Sequence, residues 1–211
     1  MQAIDLRAMI LEKLIAHMSS AKRLAIAGAG CTGKSTFASE LADRLRREGI
    51  DATVFELDSY FMPRAERARA GLSAYHPSAF GLAQARRDID LLLEGHDVPI
   101  RTYDKVTGTS HDAGVLRLGD CLIIEGAMAL HDTLLGTTPL CMFLDASRQT
   151  LFENRRRREE GLGFGYEEIV RKFIGLEADY AKHIAPQGRH AHLCVEIDEQ
   201  YRFKKLEARS S

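Results

Sequence analysis

The chain has little of what would tie it to several functional classes. It has four cysteines, at positions 31, 121, 141 and 194, and no C-x-x-C pair. That scatter gives no thiolate zinc site and no disulfide framework, and it points to a reducing cytoplasmic setting. Cys121, Cys141 and Cys194 each lie in an apolar run, where a free thiol acts as a small hydrophobe. An excess of one charge sign is also missing: 29 Lys and Arg stand against 30 Asp and Glu, for a formal net charge of −1. A dedicated nucleic-acid binder would be basic, so no nucleic-acid partner is expected. No apolar run approaches the roughly 20 residues that cross a bilayer, so no membrane partner is expected either. The start of the chain is not a signal peptide. Leu6, Ile10, Leu14 and Met18 fall on one helical face, interrupted by Asp5, Arg7, Glu12 and Lys13, which predicts an amphipathic helix over 1–20. Internal repeats and low-complexity linkers are absent, and one domain over 1–211 is expected.

What is present is concentrated in one segment. Gly28-Ala29-Gly30-Cys31-Thr32-Gly33-Lys34-Ser35, continued by Thr36, fits the phosphate-binding loop G-x-x-x-x-G-K-[ST]. The flanks fit as well. Arg23-Leu24-Ala25-Ile26-Ala27 is the short apolar run of a buried parallel strand, and Phe37, Leu41 and Leu45 repeat with helical spacing after the loop. Glycines let a backbone wrap closely around phosphates, and the N–H groups of the loop and the helix start then point inward. The lysine of such a loop reaches the β- and γ-phosphates, and the Ser35 hydroxyl is placed to hold Mg²⁺. ATP and Mg²⁺ are therefore the expected cofactors.

Further apolar runs near 52–57, 121–125, 140–144 and 192–197 alternate with helical patterns at 34–48, 79–94, 148–158 and 166–183. This alternation predicts an α/β protein with the P-loop NTPase fold: a three-layer α/β/α arrangement around a five-stranded parallel sheet, with a lid and a small strand-and-loop insertion. The charged tail, 199–211, is expected to fray. Ligands of such sheets collect at the carboxyl ends of strands. Asp58, just past the second strand, is placed to accept a proton from an attacking hydroxyl or to bind Mg²⁺. Glu125 ends the third strand and suits the metal shell beside Ser35. Arg155 to Arg158 run into Gly161, Gly163 and Gly165. This reads as a lid over 154–166 that carries Arg155 and Arg158 to the transferring phosphate. Ser78 is placed to cap the helix at 79.

Taken in order, these residues resemble the uridine kinase and phosphoribulokinase family. The resemblance rests on the phosphate loop, then Asp58-Ser59-Tyr60-Phe61, His76-Pro77-Ser78-Ala79-Phe80, Tyr103-Asp104, Ile123-Ile124-Glu125-Gly126, the strand end Phe143-Leu144-Asp145 and the arginine-rich lid. It implies ATP-dependent transfer to a hydroxyl of a small molecule, with Asp58, Lys34, Arg155 and Arg158 catalytic. Tyr60, Tyr75, His76, Tyr103 and Lys105, in an acceptor-side region over 59–118, are the candidate substrate contacts. A homo-oligomer is compatible with it.

Two departures fall on the acceptor side. Nucleoside-phosphorylating members carry Asp before His-Pro, and here it is Tyr75. They follow Tyr-Asp with Phe and then His-Ser-Arg, and here the segment is Lys105-Val106-Thr107-Gly108-Thr109-Ser110. Uridine should therefore be a poor fit, and Lys105 favours an acidic alcohol; a sugar, sugar phosphate or pantothenate-like alcohol remains open. A switch GTPase would carry N-K-x-D, which does not occur, and a transport-type ATPase would end its third strand in Asp-Glu rather than Glu125-Gly126.

Overall fold

A computed structural model of the chain describes residues 5–208. Its centre is a six-stranded sheet built from β1 (Arg23–Gly28), β2 (Ala52–Glu56), β5 (Cys121–Glu125), β6 (Leu140–Ala146), β7 (Leu193–Ile197) and β8 (Phe203–Ala208). The order across the sheet is β2-β5-β1-β6-β7-β8. The first five are parallel, as expected, and each has an apolar run at its core. Every residue of β5 is buried, the pattern of a strand covered on both faces.

The helices cover the sheet because their apolar residues recur every three or four positions. α1 (Leu6–Ala21) buries Ile10, Leu11, Leu14 and Met18 and is capped by the Asp5 carboxylate, which accepts from the Arg7 and Ala8 amides. The first four residues of the helix expected over 1–20 lie outside the described residues. α2 (Lys34–Arg47) buries Phe37, Ala38, Leu41, Ala42 and Leu45 and ends in Arg44, Arg46 and Arg47, which suits the negative end of its dipole. α3 (Arg64–Arg69), α4 (Leu82–Leu93), α5 (Arg148–Gly161) and α6 (Tyr166–Asp179) complete the set. The insertion is a hairpin of β3 (Val98–Asp104) and β4 (Thr109–Leu116).

The structure corrects four expectations. First, the described part of the tail, 199–208, does not fray. It turns at Asp198, whose carboxylate accepts from the Gln200 and Arg202 amides, and runs back antiparallel to β7 as β8. Phe203 anchors it: the ring is buried, packs on Phe37 with centroids 5.2 Å apart, and both rings lie beneath the Arg7 guanidinium. The sheet therefore gains a sixth strand. Second, Ser78 does not cap a helix at 79. Pro77–Ala79 form a single 3₁₀ turn capped by His76, whose Nδ1 accepts from the Ser78 amide, and α4 begins only at Leu82. Third, the helix expected over 148–158 runs on to Gly161. Arg155 to Arg158 lie inside α5, and the irregular segment of the lid shrinks to 162–165. Fourth, α6 stops at Asp179, and the chain continues through a wider helical turn, Tyr180–Ile184.

Two glycines at strand ends shape what the sheet presents. Gly28, at the end of β1, has φ +142° and faces the backbone of β6 so closely that a Cβ there would lie 2.2 Å from the Leu144 carbonyl oxygen. Gly126, after β5, has φ +154°, and a Cβ would meet that of Leu57 at 2.6 Å. Only glycine permits the chain to leave the sheet along these paths.

Candidate active site

β1, β2 and β5 all end on one side of the sheet, and the residues that follow them line one cavity of about 1290 Å³. The loop leaves β1 and enters α2 through Gly33, which has φ +80° and no side chain to cap the first turn. The amides of that turn are available to a phosphate. Cys31 also takes a left-handed φ of +67°, and its carbonyl oxygen accepts from the fully buried Asn154 on α5 at 3.2 Å. Thr32 Oγ1 donates to the Ala29 carbonyl at 2.9 Å and stiffens the loop from within. Lys34 is folded back on this loop, with Nζ donating to the Ala29 carbonyl at 2.7 Å. Burial lowers the pKa of its ammonium, and the carboxylates of Glu125 and Asp58 oppose that shift. A phosphate chain would supply the anion that this desolvated cation lacks.

Ser35 Oγ donates to Glu125 Oε1 at 2.8 Å, so two hard oxygens meet beside the lysine. Glu125 is buried, which raises its pKa; Lys34 and the Ser35 hydroxyl pull the other way. Asp58 stands in the short 3₁₀ turn after β2, lines the cavity and faces Lys105 Nζ at 3.2 Å. Lys105 reaches it from the β3–β4 turn, where the Asp104 carboxylate accepts from the Val106 and Thr107 amides. The hairpin is thereby tied to the end of β2.

The lid arginines divide. Arg155 is a fixed strut: it is buried, donates to Glu159 at 2.7 Å and reaches the Tyr75 hydroxyl at 3.4 Å. Arg158, one turn on, is more open and lines the cavity. Tyr75 serves the loop directly, since its hydroxyl oxygen accepts from the Gly30 amide at 2.8 Å. Tyr103 also lines the cavity. Two other expected substrate contacts stand elsewhere. The Tyr60 hydroxyl donates to the buried Asp88 at 2.7 Å while its ring stacks on Phe55, and His76 caps its own turn and packs edge-on against His183. Neither lines the cavity.

The profile of the phosphoribulokinase / uridine kinase family matches residues 24–201. The chain belongs to that family. Accordingly it is an ATP-dependent kinase that acts on a hydroxyl group of a small molecule. Among its relatives, the uridine kinase of Halobacterium salinarum is 28% identical over 179 residues, which cover 82% of this chain and 78% of that one. The fold is shared with phosphoribulokinase from Rhodobacter spheroides, at TM-score 0.67 and 18% identity over 84% of this chain and 70% of that one. It is shared too with D-glycerate 3-kinase from Cryptococcus neoformans, at TM-score 0.68 and 13% identity over 96% and 97% of the two chains.

The structure also brings to this kinase's cavity residues that the pattern of motifs did not mark. Tyr201 lies against the phosphate loop, so close that a Cβ on Gly33 would stand 3.1 Å from its ring, and Arg202 and Lys204 follow it along the wall. They arrive because β8 folds back, which only the pairing with β7 decides. Arg64 and Arg67 arrive on α3, a helix too short to show a period. Phe61 did show in the sequence, in the segment after Asp58. Its role as a floor, stacked on Phe80 at 4.6 Å and tilted against Tyr103 at 5.0 Å, did not. Among the described residues no helix is long and apolar enough to cross a membrane.

Proposed function

We propose that this kinase carries out in-line transfer of the γ-phosphoryl group of ATP to an alcohol lying between Asp58 and the β3–β4 hairpin. The observation that carries this reading is the convergence of three strand ends on one cavity: the loop with Lys34 after β1, Asp58 after β2 and Glu125 after β5. Asp58 takes the proton of the attacking hydroxyl, and Lys105 beside it orients the carboxylate until the acceptor arrives. Lys34 leaves the Ala29 carbonyl for the phosphates, and the loop amides follow the charge as it moves. Arg158 closes from the lid, while Arg155 keeps α5 and Tyr75 in register with the loop.

Ser35 and Glu125 would hold Mg²⁺, with phosphate oxygens and water completing the shell; two oxygens of this kind are what a hard cation takes from a kinase. When bound, Mg²⁺ neutralises phosphate charge. The enzyme works in the cytoplasm on a free small molecule.

The acceptor is not a pyrimidine nucleoside. Tyr75 takes the sequence position at which nucleoside-phosphorylating members of the family carry a carboxylate, and its own hydroxyl is engaged with Gly30. A site without the buried partners of a substrate loses orders of magnitude in selectivity. An ATP-consumption screen across nucleosides, sugars, polyols and hydroxy acids tests the reading, with Lys34→Ala as its control. Turnover should vanish in the variant while the fold remains. Wild-type turnover in a folded Lys34→Ala protein would refute it, and a uridine kcat/KM above ~10⁴ M⁻¹s⁻¹ would restore uridine as the acceptor.

A further inference from the structure

We propose that the acceptor alcohol carries an anionic group, a carboxylate or a phosphate, and that Arg67, assisted by Arg64, grips that group in the cavity. This rests on the kinase reading above and narrows it to a substrate class.

Arg67 carries a charge that lacks a counter-charge. Arg67 is 9% exposed and lines the cavity. Its Nη1 donates to the Met62 carbonyl at 2.6 Å and to the Tyr103 hydroxyl at 3.1 Å, and its guanidinium lies 3.8 Å from the centre of the Phe61 ring. These contacts fix the plane of the group, but all of them are to neutral partners. Arg64 donates to the carbonyls of Lys105 and Val106 and faces the Phe164 ring, again neutral partners. Among the described residues neither guanidinium forms an ion pair within 4.0 Å. Glu168 feels Arg64 at longer range but is bonded to Lys172 at 2.8 Å.

Three other cations of the cavity differ. Lys105 has Asp58 at 3.2 Å, Arg155 has Glu159 at 2.7 Å, and Arg158 lies 3.8 Å from that same carboxylate. Lys105 therefore spends its charge on Asp58, and recognition of an acid falls to the arginines instead. A largely buried guanidinium without a counter-ion is costly, and the ring beneath it offsets only part of that cost. On a residue that lines the cavity, a planar fork matches a carboxylate or phosphate in two-pronged fashion.

Position supports the same reading. Arg67 rests on Phe61, three residues past Asp58, and on Tyr103, two residues before Lys105. The anion anchor and the proton acceptor therefore share one wall and suit the two ends of one short molecule. ATP does not need Arg67: its phosphates have the loop, Lys34 and Arg158.

The test uses the full chain, ATP and matched acceptors: D-glycerate against glycerol, and ribose 5-phosphate against ribose. At least one anionic acceptor should exceed its neutral counterpart by ~10²-fold or more in kcat/KM, since a site built for a polar group rejects the analogue that lacks it. The preferred acceptor tells carboxylate from phosphate. Arg67→Gln should raise KM for it by ~10-fold or more with a much smaller change in kcat, the signature of lost ground-state binding. Arg67→Lys should recover part of that loss. Neutral acceptors used as well as their anionic partners would overturn the proposal and leave the kinase reading standing. Equal losses on both acceptors in Arg67→Gln would make Arg67 a structural strut and overturn it too. Should that variant fail to fold, Arg64→Gln carries the same comparison. If wild type and Lys34→Ala alike phosphorylate nothing in this panel or in the wider screen, the kinase reading itself fails, and the proposal with it.

Discussion

Replacing Asp58 by asparagine removes a proton acceptor and disturbs little else. The side chain is 34% exposed, and its ion pair with a Lys105 side chain that is 51% exposed is of the solvent-screened kind worth about 0.2–1 kcal/mol. At roughly 2–4 °C per kcal/mol for a chain of this size, Tm should move by less than about 4 °C. The effect on turnover is of another order. A positioned general base contributes roughly 10²–10⁴ in rate, or about 2.7–5.4 kcal/mol of barrier. Asp58→Asn should thus lower kcat by that factor while the KM for ATP changes only a few-fold, because the loop and Lys34 hold the nucleotide. Steady-state kinetics beside a melting curve decide it. A preserved kcat would remove Asp58 from the chemistry. A loss confined to ATP and Mg²⁺ binding would recast it as a metal ligand. A Tm fall much larger than a few degrees would mean that the Asp58–Lys105 pair holds the hairpin to the sheet, and that the kinetic loss reports misfolding.

Three further outcomes follow from other parts of the structure. Gly28→Ala would put a methyl 2.2 Å from the Leu144 carbonyl at a φ of +142°, and the clash plus backbone strain should cost about 2–5 kcal/mol, read as a large shift in the denaturant midpoint; a near-neutral result would mean that the end of β1 can move. Phe203→Ala removes the buried anchor of β8 and should cost about 3 kcal/mol and weaken ATP binding as Tyr201 leaves the loop; unchanged stability would return the tail to a frayed end. Amide exchange should slow across 162–165 when ATP and acceptor bind together, while the helical residues around the buried Arg155 are already protected in the free protein; equal protection of 162–165 with and without ligands would make the lid static.

What can be read in the sequence depends on how far each signal reaches along the chain. The phosphate loop was legible because its chemistry is local. Glycines, lysine and serine must follow one another for backbone amides to ring a phosphate, so the motif carries its own geometry. The five parallel strands were legible for a related reason: a strand covered on both faces is apolar throughout, as β5 is. Asp58 and Glu125 followed from one topological rule, since what comes after a parallel strand lies at the ligand end of the sheet.

Other features depended on partners distant in sequence. β8 is charged along its exposed side and reads as a tail until Phe203 finds Phe37 and the backbone finds β7. Tyr60 looks like a substrate contact by its place after Asp58, but Asp88, on α4, takes its hydroxyl. His76 sits in a family motif and yet caps a turn. Lys105 reads as a free cation until the hairpin sets it against Asp58, and Arg67 goes unmarked in the sequence until Phe61 and Tyr103 close around it without a carboxylate. By itself the sequence determined the fold and the end of the sheet at which phosphate is handled, because those follow from short-range pattern and strand order. Only the tertiary structure decided which charges are paired and which are left facing the cavity, because pairing depends on side chains that meet across elements and leaves no period in the chain.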